Sequence, residues 1–92
     1  MKINGTFIMR EIAGDTILIP VGETSLNLKG VITLNPVGVT IWKALENAKS
    51  REEILTDILE EFDVSEETAR ADLEEFLTVL AEKGLITVSG CE

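Results

Sequence analysis

Ninety-two residues, 45% of them hydrophobic and carrying a net charge of −9, suffice for one domain, residues 1–92, around a single core. The chain has no histidine, no tyrosine and one cysteine, Cys91. This excludes Ser-His and Cys-His catalytic pairs, His-containing zinc sites, cysteine-only metal sites and any internal disulfide. No apolar run approaches the ~20 residues of a membrane span and no signal peptide is visible, so a cytoplasmic domain with no membrane partner is expected.

The first third reads as β. Thr6 to Ile12 (TFIMREI) suits a strand, Ala13-Gly14-Asp15 a compact turn, and Thr16 to Val21 (TILIPV) the returning strand of a hairpin. Pro20 lacks an N–H, so pairing is expected to fail near that strand's end. Gly22 to Gly30 is a polar loop anchored by Leu26 and Leu28. Val31-Ile32-Thr33-Leu34 is β-branched and apolar, the composition of a third strand. These strands are apolar on both parities, and alternation alone does not say which face turns inward.

The remainder reads as three helices. Asn35 caps the first, Pro36 occupies its first turn, Ile41, Trp42 and Leu45 share one face, and Asn47 ends it. Trp42 on that face is most simply a core residue. Ser50-Arg51-Glu52-Glu53 is a capping box, followed by Ile54, Leu55, Ile58, Leu59 and Phe62 at helical spacing. Ser65 caps the third helix, with Glu66 and Glu67 in the first turn where the macrodipole favours anions. Its apolar set is Ala69, Leu73, Phe76, Leu77 and Leu80. Gly84 supplies a left-handed stop on which Leu85 folds back toward Leu80. Leu85 to Val88 is either a short closing strand or a tail packed on the core. The expected fold is α+β, a winged-helix-like domain with a three-stranded antiparallel sheet followed by three helices.

Helix, short turn, capped helix is also the layout of a helix-turn-helix, which raises a DNA-binding regulator as an alternative. Charge argues against nucleic acid. Residues 1–49 carry five Lys/Arg against four Asp/Glu, and residues 50–92 three against thirteen. From Ser65 to Lys83, six acidic residues face Arg70 and Lys83 alone, whereas DNA binders gain affinity by neutralising phosphates. The acidic pairs Glu52-Glu53, Glu60-Glu61, Glu66-Glu67 and Glu74-Glu75 do not suggest metal or acid–base chemistry. Adjacent helical residues point about 100° apart and do not converge. No Asp-Ser-Leu attachment triplet of acyl carriers occurs, and Ser89-Gly90-Cys91-Glu92 lacks the diglycine of sulfur carriers. Cys91 has no cationic neighbour in sequence to activate it.

The third strand poses the remaining question. In a three-stranded meander it lies on an edge, and Val31-Ile32-Thr33-Leu34 carries no charge to protect that edge. Either the chain's own loop or tail covers it, or a partner peptide does so by strand addition. An uncovered edge also leaves a homodimer open.

The stretch ITLNPVGVTIWKAL (Ile32–Leu45) resembles the Leu-Asn-x-x-Gly-x-x-Ile-Trp signature of the pyrroloquinoline quinone biosynthesis protein D (PqqD-like) family. Ser50 to Ile86 resembles that family's continuing pattern. The matching positions are Leu34, Asn35, Gly38, Ile41, Trp42, Ser50, Ile54, Asp72, Phe76, Leu77, Leu80, Gly84 and Leu85. Pro36 replaces a common acidic residue and Val37 a common threonine, neither of which disturbs a helix start.

The resemblance implies a non-enzymatic element, with no cofactor of its own, that recognises ribosomally made precursor peptides. Such domains are similar to winged helices that hold the precursor's leader as an added strand along strand three, against helix three. They present it to a modifying enzyme, often a radical S-adenosylmethionine enzyme with iron–sulfur clusters. Carried onto this chain, the main-chain groups of Val31, Ile32, Thr33 and Leu34 bond the leader. Asp72, Phe76, Val79 and Lys83, one flank of the third helix, form the opposite wall, with Phe76 and Val79 taking apolar side chains and Asp72 and Lys83 selecting charge. Arg70, Glu74 and Ala81 line the other flank. The rival reading is a structural subunit of a larger enzyme.

Overall fold

Local signals place the elements before any long-range contact is considered. The computed structural model describes residues 2–24 and 32–87. In chain order these form β1 (Lys2–Ile3), β2 (Phe7–Ile12), β3 (Asp15–Pro20), β4 (Ile32–Leu34), α1 (Pro36–Glu46), α2 (Arg51–Glu61), α3 (Glu66–Glu82) and β5 (Ile86–Thr87). Leu26, Leu28, Val31 and Cys91 lie outside the described residues.

The three helix starts are capped as the sequence predicts. The Asn35 side-chain oxygen accepts from the Gly38 N–H at 2.7 Å. Ser50 and Glu53 close a reciprocal box: the Ser50 N–H donates to Glu53 Oε1 at 2.9 Å, and the Glu53 N–H to Ser50 Oγ at 3.3 Å. Ser65 Oγ accepts from the Thr68 N–H at 3.2 Å. Each cap satisfies one of the orphan donors of a helix's first turn. At the far end of α3, Gly84 sits at φ +82°, the Leu85 N–H reaches the Leu80 carbonyl at 2.9 Å, and the Gly84 N–H reaches Ala81 at 3.1 Å. That pair of bonds is the Schellman ending that Gly84-Leu85 predicts.

β2 and β3 form a hairpin whose register pairs Ile12 with Asp15, leaving only Ala13 and Gly14 in the turn. The turn is thus one residue shorter than the sequence suggests. Both of its residues have positive φ, 53° and 85°, as a turn matching the twist of the strands requires. β4 adds to β3 with Leu18 opposite Ile32 and Thr16 opposite Leu34, giving the sheet order β2-β3-β4. Of Leu85 to Val88, Ile86 and Thr87 form the short strand β5, which pairs with β1 and not with the sheet, and Val88 lies outside the described residues. The Asn4 N–H, donating to the Leu85 carbonyl at 2.7 Å, ties the same two ends together.

Packing selects the inward parity. Leu18 is fully buried and Leu34 nearly so, and Phe7, Met9 and Ile32 pack against the same core, while Ile8 and Ile12 remain exposed. Against this face stand Ile41, Trp42 and Leu45 of α1, Ile54, Leu55 and Ile58 of α2, and Ala69, Leu73, Leu77 and Leu80 of α3. The Trp42 ring meets Phe7 edge-on, with centroids 5.4 Å apart. The result is the α+β, winged-helix-like order of a three-stranded sheet followed by three helices, with β1 and β5 as an added ribbon.

Candidate functional site

Among the described residues β4 has a partner on one side only: β3 is its sole neighbour in the sheet, so the backbone groups on its other side form an edge. Across from that edge lies one flank of α3, and between them runs a groove of about 530 Å³.

The elements around this groove follow from local sequence. Asn35 caps α1 directly after Leu34, so the helix begins where the strand stops, and Val37, Gly38 and Ile41 close the groove beneath. Gly38 permits the close approach of α3. A Cβ at this position would lie 3.3 Å from Cε1 and Cζ of Phe76, so the aromatic ring rests on bare helix backbone. Along α3, Asp72, Phe76, Val79 and Lys83 follow at steps of four, three and four, the spacing that keeps side chains on one line of a helix.

The structure brings together Ile32, Thr33, Asp72, Phe76, Val79 and Lys83 around the groove. Leu34 differs: it is 4% exposed and belongs to the core, so only its main chain is available at the edge. Glu75 also lines the groove and was missed in the sequence. It lies three residues after Asp72 and four before Val79, so the spacing that selected its neighbours could have found it.

Wall chemistry is apolar in the middle and charged at both ends. Phe76 is half-buried and Val79 is 37% exposed. Asp72, Glu75 and Lys83 are exposed, and none of their side chains bonds or pairs with another described residue.

α3's other flank is engaged by α2. Arg51 Nη1 reaches Glu74 Oε1 at 2.9 Å, and Arg70 Nη1 reaches Glu52 Oε1 at 3.3 Å. Arg70 also bonds Glu66, which with Glu52 raises the guanidinium above its ordinary value. The flank bearing Phe76 and Val79 is the one that faces β4.

A larger cleft, about 1210 Å³, opens between the β2–β3 turn, α1 and α2. Two of its charged residues, Lys49 and Asp57, pair with each other, and Glu61 is engaged by Thr40. Lys49 Nζ binds Asp57 Oδ2 at 2.7 Å, which raises the lysine's pKa, and Thr40 donates to Glu61 Oε2 at 2.8 Å. Among the described residues no cluster of His, Cys, Asp or Glu could hold a metal ion, and no helix is long and apolar enough to cross a membrane.

The groove's elements fall within a recognisable sequence pattern. The family profile described as "Coenzyme PQQ synthesis protein D (PqqD)" matches residues 24–86. The chain belongs to the PqqD family. The matched span contains β4 and all three helices, and leaves out the β2–β3 hairpin. This PqqD-family domain is also similar to the solved structure of TbiB1 in complex with the TbiA(beta) leader peptide. The two are 31% identical, with a TM-score of 0.75 over 98% of this chain and 99% of that one. Among curated proteins no sequence matches the domain.

Proposed function

We propose that this PqqD-family domain is a non-enzymatic recognition element that holds the leader of a ribosomally made precursor peptide and presents it to a modifying enzyme. The observation that carries this reading is the β4 edge standing opposite an apolar, charge-bordered flank of α3. An extended leader adds to the edge through the main chain of Ile32–Leu34, and with it Val31, as the next strand of the sheet. Its alternate side chains then turn toward Phe76 and Val79. Main-chain bonds supply affinity that tolerates many sequences, and the wall of α3 supplies selection.

Support also comes from the 31%-identical TbiB1, whose structure contains a leader peptide. The domain's own histidine-free composition agrees with a carrier that leaves chemistry to its partner. That partner, on this reading, is a cytoplasmic radical S-adenosylmethionine enzyme. DNA binding has less to support it, because the open flank of α3 carries Asp72 and Glu75 against one Lys83.

The test is a titration of the isotope-labelled domain with a synthetic leader from a precursor encoded beside it. The amides of Ile32, Thr33 and Leu34 are expected to shift together with the Val79 methyls. Amides at 32–34 that stay in place under saturating leader would overturn the reading.

A further inference from the structure

The charges bordering the groove have a polarity. Along the flank of α3, Asp72 and Glu75 precede the apolar pair Phe76 and Val79, and Lys83 follows it. Among the described residues none of the three charges has a partner, whereas Arg70 and Glu74 on the opposite flank are both held by α2. The groove charges are therefore solvated and available to a visitor.

Spacing then restricts what the visitor can be. At 1.5 Å per helical residue, Glu75 and Asp72 lie about 12 and 16 Å from Lys83 along the axis. An added strand rises about 3.3 Å per residue and turns alternate side chains to the same face. For a segment lying along α3, residues i and i+4 thus share the face toward the helix and stand about 13 Å apart, with i+2 between them. A separation of two residues is too short, and an odd separation turns one charge away.

Resting on the leader-binding reading above, we infer that the groove selects a five-residue pattern with a basic residue, an apolar residue and an acidic residue at alternate positions. The basic residue meets Asp72 and Glu75, the apolar one lies on Phe76 and Val79, and the acidic one meets Lys83. For a segment paired in a given direction, these three charged side chains fix the register, which main-chain pairing alone leaves undetermined. Lys83 is the discriminating member, because a domain of net charge −9 attracts basic peptides without regard to direction.

Three strand-forming peptides that differ only in this pattern test the inference: Lys-Thr-Leu-Thr-Glu, Glu-Thr-Leu-Thr-Lys and Gln-Thr-Leu-Thr-Gln, each within the same neutral flanks. Exposed pairs are individually weak, but for peptides bound in the same backbone direction exchanging both ends turns two attractions into two repulsions, so the two charged isomers are expected to differ about tenfold in Kd. The difference should shrink at about 1 M salt, where the screening length is about 3 Å. In a variant combining Asp72→Lys, Glu75→Lys and Lys83→Glu the preference should invert. These side chains are exposed and unpartnered, so the variant is expected to fold. If all three peptides shift the amides of Ile32–Leu34 and bind within about twofold of one another, the charge pattern is overturned while the groove stands. If none shifts those amides, the groove reading falls, and this inference with it.

Discussion

Val79 and Leu77 lie two residues apart on α3 and face different tasks, and shortening each to alanine separates them. Leu77 is 1% exposed and Val79 is 37% exposed. Burying a valine side chain completely is worth about 1.5–3 kcal/mol. The 37% still open on Val79 therefore leaves at most about 0.6–1.1 kcal/mol for a bound peptide to gain. Val79→Ala should weaken leader binding by about threefold to sixfold at the upper bound. Its effect on folding should stay within about 1 kcal/mol, because alanine's better helix propensity offsets part of the lost packing. Leu77→Ala leaves a cavity in the core and should cost about 2–5 kcal/mol, a large fraction of a small domain's stability. Calorimetric titration with leader reads the first effect. Urea unfolding followed through Trp42, itself 1% exposed, reads the second. A Val79→Ala domain that binds leader as tightly as the parent would refute the placement of this side chain in the peptide's path. Equal stability losses for the two variants would refute the division of α3 into a core face and a groove flank.

Two further outcomes follow from single contacts. Gly38→Val adds three carbons where the first alone stands 3.3 Å from the Phe76 ring and 3.2 Å from Asn35 Oδ1. Overpacking should cost about 1–3 kcal/mol and push the ring into the groove, so thermal unfolding and leader affinity should both fall; a variant unchanged in both would mean that the ring yields freely. The Glu53 carboxyl is held below its ordinary value of 4.5 by the Ser50 backbone N–H and hydroxyl. The folded state binds this proton less readily than the unfolded chain, so the stabilisation is complete above pH 4.5 and fades as pH falls through the lower folded value. Glu53→Gln should flatten that part of the acid limb of stability against pH, and parallel limbs for parent and variant would contradict the assignment.

Much of this architecture is local and therefore readable. Asn35, Ser50 and Ser65 each cap the helix they precede, because a side-chain oxygen and an amide three residues on need no distant partner. The same holds for the Schellman end at Gly84-Leu85. Hairpin connectivity likewise makes the third strand an edge, as the observed order β2-β3-β4 has it. A short closing strand near Leu85 to Val88 was one of the two readings the sequence left open, but β1 and its pairing with β5 were missed, because a two-residue strand shows no periodicity and its partner lies more than eighty residues away in the chain.

The residues of the groove were legible as a helix flank, but not as a site facing the strand. Asp72, Phe76, Val79 and Lys83 share a line by spacing alone; that this line, and not the one bearing Arg70 and Glu74, turns toward β4 depends on where α2 docks. Arg51 and Glu52 reach across from α2 to claim the other flank. Inward parity of the sheet was undecidable for a similar reason: Ile8, Ile12, Ile17 and Ile19 are as apolar as the residues that face the core. By itself the sequence determined the caps, the order of the elements and the absence of histidine chemistry, since each depends on residues a few positions apart or on composition. Only the tertiary structure decided which faces meet, because burial is shared among elements distant in the chain and no local pattern records its partner.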